Sequence, residues 1–538
     1  MATVTPPTVI TTPKPSVRKR RRASAVLWAA AIAVTVPGAA PIVHLLWTVV
    51  RPGGFDAGGI PTARLVELFA STALLVVTVT VTALALGTTT AWLTTRTDLA
   101  GRGMWSMLVS LPLVIPSYVG ALAMLGASGN GGVVSLALAE IGLPKLGVFN
   151  GFWAAWGALS LWNFSYVHLI ATPSLQRMDP TLEEASRGLG ASRRRTLSAV
   201  VLPQLRPALL SSSLLVALYV ISDFGAVSLL RYETFTRAIY TQFRGRLDIT
   251  PSLFLSGILV LGALVLVIAE QRNRGRASLA ARRATRPPER VALRGGARVA
   301  GYGFLATLVT AALILPLVTL VWWAGRGVAL GNTFDPVWTE ASRSAGVALV
   351  AAMVTACAAI PVAILTVRHP SRSARLLESI SWSAYSLPHL AVGLGFLVLS
   401  IRYAPAVYQT VMLLVVAYVA MFLPQALAAT QAGLRQVGPS LEEASRSLGS
   451  GSLATLRRIT LPLVWRSIVA GGALVFLTVM KELPATLLLR PTGFETLAVR
   501  IWSASSELFY TQASVAALVL VGISAVPLYL LVTRDLHR

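Results

Sequence analysis

The chain has 538 residues, of which 55% are hydrophobic and 12% charged, about half the charged fraction of a soluble domain, and its mean hydropathy is +0.70. These values exclude a soluble globular protein, so the formal charge of +25 is read as basic cytoplasmic loops of a membrane protein rather than a nucleic-acid surface. A single cysteine, Cys357, and five scattered histidines exclude a disulfide scaffold and a metal-ligating cluster.

Residues 1–22 read as a disordered Pro/Thr-rich tail ending in Arg18-Lys19-Arg20-Arg21-Arg22. The apolar run 23–50 that follows is longer than the h-region of a signal peptide, about 7–15 residues, and predicts a first transmembrane helix. Its small residues Pro37-Gly38-Ala39-Ala40-Pro41 resemble a cleavage region, a reading that the run length outweighs. Further apolar segments lie at 65–94, 103–126, 151–173, 207–230 and 251–269. The arginine-rich stretch 271–298 is too polar to span a membrane and predicts a cytoplasmic linker. A second set follows at about 299–323, 343–367, 377–401, 406–430, 466–489 and 513–533.

At roughly 20 residues per span, the pattern predicts an all-α polytopic membrane protein of twelve transmembrane helices in two fused six-helix modules. The first occupies 23–270, with its core at about 65–270, and the second 299–538, with its core at about 343–535. Both termini then lie in the cytoplasm, and 33 of the 46 basic residues fall on that side, as the positive-inside rule requires.

An ungapped internal repeat links the two halves. Residues 180–203 match 439–462 at an offset of 259 with 13 of 24 positions identical, and both copies contain Leu-Glu-Glu-Ala-Ser-Arg. Thr181 with Glu184, and Ser440 with Glu443, fit a capping box opening a short helix. Gly188 and Gly190, and Gly449 in the second copy, are placed to end that helix in the left-handed region. A second short helix is expected to stop at Leu202-Pro203 and Leu461-Pro462. Two copies kept in polar loops that have no core to pack argue for a partner surface rather than a mere connector.

These residues resemble the cytoplasmic signature of ABC importer permeases: Glu-Ala-Ala, three residues, Gly, nine residues, Ile, one residue, Leu-Pro. The chain has Glu184-Ala185-Ser186, Gly190, Val200 and Leu202-Pro203, then Glu443-Ala444-Ser445, Gly449, Ile459 and Leu461-Pro462. It departs from the pattern in the two serines and in Val200. The resemblance implies coupling helices that dock on an ATPase subunit, with Glu183, Glu184, Glu442 and Glu443 at that interface and Gly190 and Gly449 forming the turn. It also implies a substrate-binding protein outside and a bacterial plasma-membrane location.

The chain contains no Gly-Lys dipeptide and so no phosphate-cradling loop. It is therefore read as a permease and not an enzyme, needing no cofactor, while a separate ATPase, taken as a homodimer because the loops are alike, uses ATP and Mg. Membrane lipid is a further partner, and nucleic acid is not.

The segments Leu93–Arg102, Ser110–Gly120 and Lys481–Arg490 resemble fused permeases of ferric-iron uptake, which share this layout with fused thiamine permeases. Asp223 and Glu482 fall at one repeat position inside predicted spans. With Lys481 they are the candidate translocation path, since buried ionisable groups at such depth usually face a cavity and carboxylates suit a hard cation. The bland alternative pairs them with Arg231, Arg490 or Lys481.

Pro112, Pro116 and Pro388, with Gly120 and Gly393, predict bent helices. Trp47, Trp322 and Trp323 read as interfacial anchors. Arg231, Arg237, Arg244, Arg246, Arg490 and Arg500 form a basic outer face suited to an acidic partner. A rival class, the ion-coupled secondary transporter, is half matched by Asp98-Leu-Ala-Gly101-Arg102 but leaves the duplicated loop unexplained.

Overall fold

The computed structural model describes residues 23–51, 53, 59–129, 131–245, 248–277, 290–331 and 336–536. The predicted basic tail, linker residues 278–289 and Arg246 lie outside them.

The first half runs α1 (Ala25–Val50), α2 (Thr62–Arg96), α3 (Arg102–Ser110), α4 (Ser117–Ala127), α5 (Val133–Glu140) and α6 (Phe152–Gln176). It continues with α7 (Pro180–Gly188), α8 (Arg193–Thr196), α9 (Leu202–Ser222), α10 (Gly225–Leu229), α11 (Phe235–Gly245) and α12 (Thr250–Ala277). The second half repeats the plan: α13 (Gly296–Val309), α14 (Leu315–Ala329), α15 (Trp338–Arg368), α16 (Arg372–Ser386), α17 (His389–Tyr403) and α18 (Val411–Gln436). It closes with α19 (Pro439–Ser447), α20 (Ser452–Thr455), α21 (Leu461–Met480), α22 (Pro484–Leu489), α23 (Leu497–Ser506) and α24 (Tyr510–Leu536).

Every predicted apolar segment lands on a helix or helix pair, but the count of twelve spans is not reached. Among the described residues eight helices are long and apolar enough to cross a membrane, or ten if each of two bent pairs is one span. The predicted segment 151–173 is α6, whose buried side carries Ser160, Asn163, Ser165 and His168. A helix surrounded by protein can be that polar, because its polar groups meet other helices instead of lipid. The predicted last segment falls in α24, a helix of 27 residues.

The two bent pairs break at the prolines that the sequence marks. The first pair turns by 94° between Val114 and Ser117, around Pro116, and the second by 107° between Ser386 and His389, around Pro388. Proline removes a helical N–H and disfavours helical geometry in the residue before it. Elsewhere proline does not stop the chain. Residues 197–201, 310–314 and 456–460 are π-helical turns directly preceding Leu202-Pro203, Leu315-Pro316 and Leu461-Pro462. The wider i→i+5 turn makes room for the proline ring and absorbs its missing donor, so the helix continues. The expected stop at Pro203 and Pro462 is therefore replaced by continuous helices, Arg193–Ser222 and Ser452–Met480.

The halves interlock through their first helices. Helix α1 packs on α12 but also on α15, α16 and α17, and α14 packs on α4 as well as α24. Close approach is paid for in side-chain size: a Cβ on Gly395 would lie 2.6 Å from Pro41 of α1. The end of the linker is clipped to the turn after α2. Val291 N donates to Arg96 O at 2.8 Å, and Leu293 N donates to Asp98 Oδ1 at 2.8 Å. Trp47 and Trp322 are exposed as expected, whereas Trp323 turns inward, donates to Gly126 O at 2.8 Å and packs on Tyr510.

Candidate functional site

Two symmetric knobs project from the helical body. Each helix starts two residues earlier than a capping box with Thr181 or Ser440 at the N-cap requires. Pro180 and Pro439 occupy the first helical turn, where proline's fixed φ is suited. The cap of α7 is Asp179, whose Oδ1 accepts from Thr181 N at 3.0 Å and Thr181 Oγ1 at 2.8 Å, while α19 starts at Gly438 with no side-chain cap.

The C-terminal turns agree with the sequence reading. Gly190 and Gly449 have φ of +81° and +86°, and Ala191 N and Ser450 N reach back to Ser186 O and Ser445 O. This is a Schellman-type ending that a side chain would strain. Gly188 remains helical. The serines that depart from the family pattern brace the knob: Ser186 Oγ lies 3.1 Å from Thr196 Oγ1, and Ser445 Oγ 3.2 Å from Thr455 Oγ1.

The paired glutamates divide their labour. Glu183 and Glu442 are each 7% exposed and point into the body. Arg96, at the end of α2, donates from Nη2 to both Glu183 oxygens at 2.5 and 2.6 Å. Arg368, at the end of α15, donates from Nε to Glu442 Oε1 at 3.0 Å and from Nη2 to Val437 O at 2.8 Å. Glu442 also accepts from Thr460 Oγ1 at 3.2 Å. Glu184 and Ala444 are exposed with Ala185, and Glu443 is half-buried.

Sequence reasoning missed Arg96 and Arg368, which lie 87 and 74 residues before their partners. It also missed the most exposed apolar groups of the knobs, Leu189 at 89% and Leu448 at 87%. The signal for these was present, a leucine kept in both copies of a polar loop.

A central cavity of about 630 Å³ lies where the bent helices meet the breaks after α9 and α21. Asp223 Oδ2 accepts from Ser117 Oγ at 2.5 Å, and Oδ1 accepts from Ala226 N at 3.0 Å and Val227 N at 3.2 Å, capping α10. Glu482 repeats this arrangement, with Oε2 2.9 Å from His389 Nδ1 and Oε1 accepting from Ala485 N at 3.1 Å, capping α22. Ser117 and His389 each follow the proline of a bend, so the two halves build the same node with different donors. Close packing fixes it: a Cβ on Gly225 would lie 2.6 Å from Tyr118 Cβ.

The candidate path residues thus share one cavity, but the arginine pairings of the bland alternative do not form. Arg490 Nη1 donates to Phe494 O at 3.1 Å, and Lys481 Nζ donates across the halves to Leu113 O at 3.2 Å. Tyr166, Tyr219, Tyr385, Trp162 and Trp382 supply aromatic wall, and Arg375 and Glu378 line the part formed by α16. A second pocket of about 480 Å³, lined by Arg231, Arg237 and Tyr240, lies beyond Phe224. Phe224, Tyr240 and Trp502 stand between the two pockets with ring centroids 4.8 to 6.0 Å apart. Of the basic residues expected to face a partner, Arg237 is paired with Glu233 at 3.0 Å, which also takes Arg64 at 2.8 Å.

The sequence profile of binding-protein-dependent transport system inner membrane components matches twice, at residues 83–273 and 356–534. An Fe(3+)-transport system permease protein of Haemophilus influenzae is 32% identical over 472 residues, 87% of this chain and 90% of that protein. A putative ferric transport system permease of the same organism is 26% identical over 403 residues, 70% of this chain and 63% of its own length. A sulfate transport system permease of Escherichia coli is 30% identical over 137 residues, 26% of this chain and 48% of its own.

Proposed function

The chain belongs to the family of binding-protein-dependent transport system inner membrane components, and from that premise we propose that it carries ferric iron inward through the cavity between its halves. It is the permease of an ABC importer, working with a substrate-binding protein and an ATPase. The observation that carries the ferric assignment is the likeness to the Haemophilus Fe(3+) permease, which runs through both halves at 32% identity.

The two alike knobs take an ATPase homodimer that uses ATP and Mg, while this chain holds no cofactor. Exposed Glu184, Ala185, Leu189 and Ala444, with Glu443 and Leu448, form the docking faces. Ser186, Gly190, Ser445 and Gly449 shape them, and the π-turns at Leu202-Pro203 and Leu461-Pro462 carry the motion into α9 and α21. Both termini lie in the cytoplasm of a bacterial cell.

Asp223, Glu482 and Lys481 line the path at its midpoint. Closing of the ATPase pair moves the knobs together and rocks the interlocked halves between two states, and the stack of Phe224, Tyr240 and Trp502 is the barrier that must part toward the outside. Uptake of labelled ferric iron and of labelled thiamine, compared in a strain lacking the chain, tests the substrate. Loss of iron uptake with thiamine uptake intact is expected, and the reverse contradicts the assignment.

A further inference from the structure

Ferric iron is a hard cation, and hard cations take about six or more oxygen ligands when bound by side chains alone. The cavity does not offer such a set. Among the described residues no group of three His, Cys, Asp or Glu side chains converges to hold a metal ion. The two midpoint carboxylates are already engaged: Asp223 accepts three hydrogen bonds from Ser117, Ala226 and Val227, and Glu482 is shared between His389 and Ala485 N. Turning either toward a metal would uncap α10 or α22.

The same wall instead carries a cation at the midpoint. Lys481 has three N–H donors, of which one is committed, to Leu113 O. At the equivalent position of the first half stands Ser222, so this charge is present on one side of the path only. Arg375 adds a second cation farther along the wall, beside a third carboxylate, Glu378, which accepts from Gln431 Nε2 at 2.9 Å. The three carboxylates of the lining are engaged by protein donors, whereas Lys481 keeps N–H donors to offer an anion at close range in a low-dielectric space.

Size points the same way. Six waters, at about 30 Å³ each, would enclose a ferric ion in roughly a third of the cavity, which measures about 630 Å³. The space, with its aromatic walls, is that of a small-molecule site.

We propose that ferric iron crosses this cavity as a complex that keeps a small carboxylate or phosphate ligand, with Lys481 meeting the anion and the midpoint carboxylates holding the helix breaks. The inference rests on the ferric reading above. No bond to the metal is made or broken by the protein.

The test is dual-label uptake by the complete transporter in proteoliposomes, with its binding protein outside and ATP within reach of the ATPase. Radioactive ferric iron is supplied with ¹⁴C-citrate in one arm and ³²P-phosphate in another. One anion is expected to accumulate at a constant ratio to iron. Lys481→Met is expected to raise the KM for iron by about tenfold or more, as loss of a charge-assisted contact does, with Lys481→Arg restoring it. Iron accumulating with neither anion overturns the inference and leaves ferric import standing. Anion entry with KM unaltered in Lys481→Met overturns the role given to Lys481. No iron uptake in either arm overturns the ferric reading, and the inference with it.

Discussion

At the scale of single residues, the feature with the clearest energetic consequence is the buried clamp on each knob. Arg96 is 2% exposed and its Nε and Nη1 have no hydrogen-bond partner, although the guanidinium lies 5.3 Å from the centre of the Trp92 ring. Nearly all of its compensation therefore comes from Glu183. Removing one member of such a pair leaves an unpaired buried charge and costs about 3–5 kcal/mol, whereas removing both is often neutral. Arg96→Leu is expected to lower the thermal unfolding temperature in detergent sharply, and Arg96→Leu with Glu183→Leu to recover most of the loss. A double variant as unstable as the single would contradict the clamp. The repeat made both glutamates legible as functional. Their different directions were not legible, because which of two adjacent glutamates faces the body is decided by how the knob packs, and Pro180 starts the helix two residues before the capping box suggests.

Among the elements, the breaks decide what the cavity is made of. The bends at Pro116 and Pro388 were readable, since proline inside an apolar run has few other outcomes. The continuation through Pro203 and Pro462 was not readable, because a π-turn is a packing solution with no local spelling beyond the Leu-Pro that follows it. The count of twelve spans is not confirmed among the described residues for a related reason. A hydropathy pattern records average apolarity, and α6 spends its buried side on Ser160, Asn163, Ser165 and His168, of which His168 lies 3.0 Å from Ser106 Oγ and 3.1 Å from Thr90 Oγ1.

The carboxylates belong to this scale because each caps a short helix. Asparagine caps nearly as well as aspartate, while alanine costs about 1 kcal/mol. Asp223→Asn is therefore expected to keep much of the transport rate and Asp223→Ala to lose most of it. Equal losses in the two variants would mean that the negative charge itself, not the cap, is what transport needs.

Over the whole molecule, the two halves share one plan but differ at the places that matter for a single substrate. The spacing from Ser117 to Asp223 is 106 residues, against 93 from His389 to Glu482, and α5 with the extended residues up to Asn150 lies in the longer stretch. The midpoint cation Lys481 likewise occurs in one half only. The knobs, by contrast, share the glycine ending, the serine–threonine brace and the buried glutamate–arginine pair, although only α7 has a side-chain cap. The exchange of α1 and α14 between halves makes the body one interlocked unit.

The central claim is that ATP hydrolysis on a partner drives iron through this cavity by way of the two knobs. ATP-dependent uptake of radioactive ferric iron by the reconstituted complex, measured for the unaltered chain and for Leu189→Asp with Leu448→Asp, tests it most directly. Those leucines are exposed and hold up no core, so the variant chain is expected to insert normally, fail to retain the ATPase and lose at least nine-tenths of uptake. Full ATP-dependent uptake by that variant, or iron uptake by the unaltered chain at the same rate without ATP, would contradict the account.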